Sequence, residues 1–151
     1  MWVLDPANSP ELMAQLRSHW REPRADVAWV GEGWRDLVGE CHHAVAASFP
    51  RYELTVIKQK HGALEFYAFP RAKQGAERTW TGEEYRALEE ITASFRTRSE
   101  LICEWCGDPG RLRLDREYEL TLCDTHDAMF DDPPENTLPR SPNLLDNDRT
   151  A

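Results

Sequence analysis

Four side chains in the C-terminal third of this chain have the types and spacing of a metal site. The stretch from Cys103 to His126 reads CEWCGDPGRLRLDREYELTLCDTH: a Cys-x2-Cys pair, sixteen intervening residues, then a Cys-x2-His pair. Three thiolates and one imidazole are a donor set for structural Zn²⁺, which takes four ligands at the corners of a tetrahedron. Gly107, directly after the first pair, suits the positive-φ turn that aims two thiolates at one ion. With Cys103, Cys106, Cys123 and His126 all bound, no coordination position is left for water, so a structural Zn²⁺ is expected rather than a catalytic one. A redox Cys-x2-Cys opens a helix in a βαβ context, whereas Gly107, Asp108 and Pro109 follow this pair. A disulfide framework belongs to oxidising compartments, and the opening MWVLDPANSPEL has neither the basic region nor the long apolar core of an export signal. A reducing, cytoplasmic setting is the expectation. Zinc binding worth roughly 10–16 kcal/mol in small fingers equals or exceeds the roughly 5–15 kcal/mol that holds a whole domain together.

The elements that must position these ligands are short. Arg111 to Leu114 and Glu119 to Leu122, joined across Asp115-Arg116-Glu117, read as a small hairpin. Asp124 to Phe130 reads as a helix whose positive end is complemented by Asp124 and Asp127. A knuckle, a hairpin and a helix carrying the second pair resemble the treble-clef zinc finger.

Upstream, Ser9-Pro10-Glu11 is a helix start, with Leu12, Leu16 and Trp20 forming an apolar stripe to about Arg21 before Pro23. A short extended piece is expected at Val27 to Val30. A second helix is expected from about Gly33 to Ser48, with Trp34, Leu37, Val38, Cys41, Val45 and Phe49 on one side and Pro50 as its stop. Cys41, His42 and His43 are adjacent, but helical neighbours point about 100° apart; Cys41 is read as a small core residue. Tyr52 to His61 and Ala63 to Phe69 read as two strands meeting at Gly62. Alternation puts Tyr52, Leu54, Val56, Lys58 and Lys60 on one face, opposite Glu53, Thr55, Ile57, Gln59 and His61. Two roles are open to Lys58 and Lys60: snorkelling from the sheet's end, or contact with an acidic partner. A polar loop spans Arg71 to Trp80. Thr81-Gly82-Glu83-Glu84 has capping-box spacing ahead of a helix marked by Tyr85, Leu88, Ile91 or Thr92, Phe95 and Ser99.

The expected fold class is α+β: N-terminal helices on a small antiparallel hairpin sheet over residues 1–100, a zinc module at 101–130 packed on it, and an acidic, proline-rich tail at 131–151 without its own core. At 151 residues, with six Trp and five Phe, the chain can build one ordinary core. No apolar run approaches the roughly 20 residues of a membrane-spanning helix.

VIKQKHGALEFYAF at Val56–Phe69, together with CEWCG and CDTH, resembles an uncharacterised group of small phage and bacterial proteins. That group combines a Lys-x-Lys-x-Gly-x-Leu-x-Phe-Tyr hairpin with a C-terminal zinc knuckle. Gly33, Trp34 and Leu37 also match its Gly-Trp-x-x-Leu helix start, so the likeness runs from about Gly33 to His126. Gln59, His61 and Glu65 stand where relatives often carry Glu, Phe and Arg. The resemblance implies architecture and carries no settled activity.

Function is narrowed mainly by charge. Net charge is −9, and residues 101–151 carry five basic against twelve acidic side chains. Phosphate-driven nucleic-acid binding relies on Lys and Arg, so an acidic zinc module is poorly suited to it. An enzyme is not expected: H-E-x-x-H, G-x-x-x-x-G-K and G-x-S-x-G are absent, and none of the five histidines is followed by Glu two places on. The expected function is a zinc-stabilised protein-binding module, of the immunity or phage counter-defence inhibitor kind, that covers a basic surface such as a nuclease groove. The alternative is a small nucleic-acid-binding regulator, which would require Lys58, Lys60, Arg71, Lys73, Arg78, Arg86, Arg96 and Arg98 to gather on one face.

Overall fold

A computed structural model describes residues 2–22 and 27–130 and shows a mixed α+β fold. Pro23 and the expected tail at 131–151 lie outside the described residues. In chain order the elements are α1 (Pro10–Arg17), β1 (Ala28–Trp29), α2 (Arg35–Ser48), β2 (Glu53–Lys60), β3 (Ala63–Phe69), α3 (Gly82–Ser99), β4 (Arg111–Arg113), β5 (Leu120–Leu122) and α4 (Asp124–Met129). One sheet has the order β1-β2-β3, and β4 pairs with β5 separately.

β2 and β3 form the expected hairpin. His61 and Gly62 have φ of 52° and 78°, the two left-handed residues that a two-residue turn needs to match strand twist. The sheet is not purely antiparallel, however. The extended piece before α2 joins β2 in parallel, Ala28 beside Ile57 and Trp29 beside Lys58.

Simple alternation misassigns the faces of β2. A bulge between Leu54 and Val56 shifts the register, and a one-residue shift sends every later side chain to the opposite face. Tyr52, Leu54 and Ile57 are the buried, inward residues. Val56, Lys58 and Lys60 instead lie outside with Tyr67, which sits beside Val56 on β3, so neither lysine has to escape from the core.

α1 ends at Arg17 rather than near Arg21, because the sheet competes for the chain that follows. Leu54 N donates to His19 O at 2.7 Å and Arg21 N to Leu54 O at 2.9 Å, which draws Trp20 into a bridge with Leu54. Ser9 makes no side-chain cap; its hydroxyl accepts from Arg35 instead. A 3₁₀ turn at Glu32–Trp34 precedes α2, so the helix begins at Arg35 and not Gly33. The α3 capping box is present, with Glu84 N donating to Thr81 Oγ1 and Thr81 N to Glu84 Oε1, each at 3.1 Å. Leu88, Thr92, Phe95 and Ser99 of α3 are buried, while Tyr85 is exposed.

Two cores result. The larger joins Leu16, Trp34, Leu37, Val38, Cys41, Val45, Leu54, Ile57, Leu64, Phe66, Leu88 and Phe95. The smaller joins Cys103, Trp105, Leu120, Leu122 and Phe130 with Trp2 from the other end of the chain. Among the described residues no helix is long and apolar enough to cross a membrane.

Candidate metal centre

The knuckle is built by backbone. Gly107 N donates to Cys103 O at 2.9 Å and Cys103 N to Asp108 O at 2.7 Å, with Gly107 at φ 83°, a conformation glycine adopts without the Cβ penalty. Asp108 N donates to Cys106 Sγ at 3.4 Å. Cys123 precedes α4 as its N-cap residue, which puts His126 one turn further on.

These elements bring all four expected ligands together, with donor atoms within 4.8 Å of one another. The Cys106 and Cys123 sulfurs are 3.9 Å apart; His126 Nδ1 is 3.8 Å from Cys103 Sγ and 3.1 Å from Cys123 Sγ. Zn–S and Zn–N bonds of about 2.3 and 2.0–2.1 Å give tetrahedral edges of roughly 3.5–3.8 Å. The three separations bracket that range, so the donor set fits a single metal ion. Burial pushes the Cys123 thiol up, but backbone N–H groups of His126 and Thr125 and the neighbouring thiols outweigh it and bring it below its ordinary value. The thiolate is the form that ligates metal.

Arg113 holds this geometry from beneath and is only 3% exposed at its side chain. Its Nε and Nη2 donate to Leu122 O at 3.2 and 2.9 Å, and Nη2 also donates to Asp124 Oδ1 at 2.8 Å. Arg116 donates to Asp127 Oδ1 at 2.8 Å and to Phe130 O at 2.7 Å. The two guanidinium groups thus tie both ends of α4, and with them His126, to the hairpin. Asp124 and Asp127 therefore do more than complement a helix end.

A strip at Gly31–Trp34 docks the knuckle on the rest of the protein. Gly33 N donates to Glu104 O at 2.9 Å, Gly31 N to Glu104 Oε1 at 3.1 Å, and Trp34 Nε1 to Ile102 O at 2.8 Å. A Cβ on Gly33 would lie 2.1 Å from Cys103 O, and one on Gly31 2.3 Å from Glu104 O. Glu104 is fully enclosed there; burial pushes its carboxyl up to about 8 against the opposing Gly31 N–H. Its Oε2 has no hydrogen-bond partner among the described residues.

Between the start of α2 and the knuckle lies an open groove of about 740 Å³, floored by Leu37, Ile102 and Trp105 and reaching Cys106 and His126. Glu32, Asp36, Glu40 and Asp108 line it with Arg35 and Arg98. Both arginines are matched, Arg35 to Glu32 and Arg98 to Glu40. Asp36 and Asp108 have no ion pair among the described residues, so the groove is net acidic.

The remaining titratable groups belong to the frame. Cys41 is buried in the larger core, His42 Nδ1 is 2.7 Å from the Tyr52 hydroxyl, and His43 Nδ1 is 2.7 Å from Gly39 O. Of the eight cations named for a basic face, Arg71 pairs with Glu84, Arg96 with Glu65 and Arg98 with Glu40. The roles of Arg113, Gly31 and Glu104 are not visible in local sequence; the one hint is an arginine on the inward side of a short strand. Compared with known proteins, the chain matches no family model, no curated protein and no solved structure.

Proposed function

We propose that this protein is a zinc-stabilised binding module, treble-clef-like at its C-terminal end, that acts by occupying a basic surface on another protein rather than by catalysis. Zinc is favoured by the donor set: three thiolates and an imidazole at tetrahedral spacing suit a soft-to-borderline ion with no open position. Cys103, Cys106, Cys123 and His126 would hold it, and its contribution is rigidity. The observation that carries the binding role is the acidic groove, whose carboxylates Asp36 and Asp108 face solvent unmatched. A lysine or arginine from a partner would find there both an ion pair and the apolar floor of Leu37 and Trp105 for its methylene stem. An immunity or phage counter-defence inhibitor that covers a nuclease's substrate groove has this chemistry.

The test is tagged purification from the native host, with mass spectrometry of what co-elutes. The expected result is a protein with a basic surface, lost when Asp36→Lys and Asp108→Lys are introduced together. Retention of the same partner by the double variant removes the groove from the proposal.

A further inference from the structure

The outer face of the three-stranded sheet stays open, with Trp29 40% and Tyr67 37% exposed. It shares no residue with the acidic groove. The register places Trp29 beside Lys58, Lys58 beside Glu65, and Val56 beside Tyr67. Glu65 is already taken, both oxygens accepting from Arg96 at 2.9 Å. Among the described residues neither Lys58 nor Lys60 has a carboxylate partner. This face is therefore locally cationic on a chain of net charge −9.

The order of groups matters as much as the sign. Trp29 and Tyr67 stand on the strands either side of β2 and are offset by two residues along it, about 12 Å apart at the backbone. Lys58 lies between them, its Nζ 5.8 Å from the Tyr67 ring centroid. Rings and cation alternate across the sheet as bases and phosphates alternate along an unpaired strand, with the two rings far enough apart to take non-adjacent bases. Every base offers a flat π-face to such a ring, whereas a duplex keeps those faces inside its stack.

We infer that this sheet face binds single-stranded nucleic acid, with Trp29 and Tyr67 each stacking on a base while Lys58 neutralises a phosphate between them and Lys60 one further along β2. An acidic peptide would engage the lysines but leave both rings without a matched partner. With two phosphates neutralised, the log–log dependence of affinity on salt has a slope of about −1.4. That is shallow, because the rest of the chain does not attract a polyanion.

The test uses the full zinc-loaded chain and a fluorescein-labelled oligothymidylate of about twelve nucleotides, within the site sizes of small single-strand binders, read by anisotropy. Saturable binding is expected, competed by the unlabelled oligonucleotide and not by a duplex or by polyglutamate. Trp29→Ala and Tyr67→Ala each weaken it by about five- to 100-fold, and Trp29→Phe restores most of the loss. Asp36→Asn with Asp108→Asn leaves it unchanged, which separates this face from the groove. Circular dichroism checks folding, and Lys58→Glu gives a second readout should a ring variant unfold. No binding at low salt, equal affinity in the ring variants, or equal competition by polyglutamate each overturns the inference, the last by making the ligand an acidic peptide.

Discussion

Replacing Gly33 with alanine adds a single methyl group, and the structure says where it goes. The new Cβ would lie 2.1 Å from Cys103 O, 2.5 Å from Gly107 N and 2.8 Å from Glu104 C. All three are backbone atoms, so no rotamer can relieve the contact; strip and knuckle must separate by roughly 1 Å to reach ordinary packing distance. Gly33 has no positive φ, so the cost is steric and not conformational strain. Separation stretches the Gly33 N–Glu104 O bond and leaves both groups poorly paired, at about 1–3 kcal/mol. Overpacking adds about 1–3 kcal/mol, giving a total near 2–6 kcal/mol. For a chain of this size, at about 2–4 °C per kcal/mol, that lowers Tm by about 4–24 °C. Gly39→Ala is the control: it lies within α2, and its Cβ would meet only Leu12 methyls at 3.7 and 3.8 Å. There the helix-propensity gain of about 0.5–1 kcal/mol should appear as a small rise in Tm. Thermal melts by circular dichroism compare the two. If Gly33→Ala melts at or above the wild-type temperature, the docking strip is not where the structure puts it.

Stripping metal with excess chelator, or Cys106→Ser, is expected to unfold at least the C-terminal third, given roughly 10–16 kcal/mol of zinc binding; elemental analysis should find one zinc in wild type, and Cys41→Ser should leave that count unchanged. His42 is buried against Tyr52 and flanked by His19 and His43, and burial first, then those two rings, lower it from 6.5 to about 4. The unfolded chain binds this proton more readily, so stability falls as pH drops from 6.5 towards 4, by at most about 3 kcal/mol. His42→Gln keeps a hydrogen-bonding group and cannot titrate; the difference between the two denaturation curves over that window isolates the effect, and identical pH profiles contradict it. Arg113→Met removes the buried partner of Leu122 O, Asp124 and Asp127 and should cost about 2–3 kcal/mol, seen as a lower urea midpoint and faster zinc loss to a colorimetric chelator.

What could be read in the sequence was whatever is encoded within a few residues. The four ligands come as two pairs with local spacing, the β2–β3 turn announces itself through Gly62, and Thr81 with Glu84 marks a helix start by chemistry internal to one turn. What escaped is set by partners far along the chain. The bulge in β2 leaves no residue signature, yet it decides that Ile57 faces the core and that Lys58 and Lys60 face out. The end of α1 depends on a competing bond to Leu54. Gly33 reads locally as a helix start; only Glu104, 73 residues from Gly31, shows that Gly31 and Gly33 let a knuckle approach.

The same long-range contacts determine what a metal ion held by the four ligands would fasten together. The knuckle and its hairpin do not sit alone on residues 101–130. Trp2 fills their core against Trp105 and Phe130, with ring centroids at 5.5 and 5.9 Å. Thr121 Oγ1 donates to Gly62 O at 2.7 Å, Gln59 Nε2 donates to Glu119 O at 3.1 Å, and Trp34 reaches Ile102 from the larger core. A module fastened to the N-terminal segment, the start of α2 and the tip of the β2–β3 hairpin cannot come apart without freeing all three. Buried groups left unpaired on the larger body, Gly62 O and the indole of Trp34 among them, would then carry their own desolvation cost. Metal loss should therefore weaken the α2 and hairpin elements as well as the knuckle. Hydrogen exchange at the amides of Gly33 and Leu64 is the place to see it. Protection of those amides that is indifferent to chelation would mean that the two cores are stable separately.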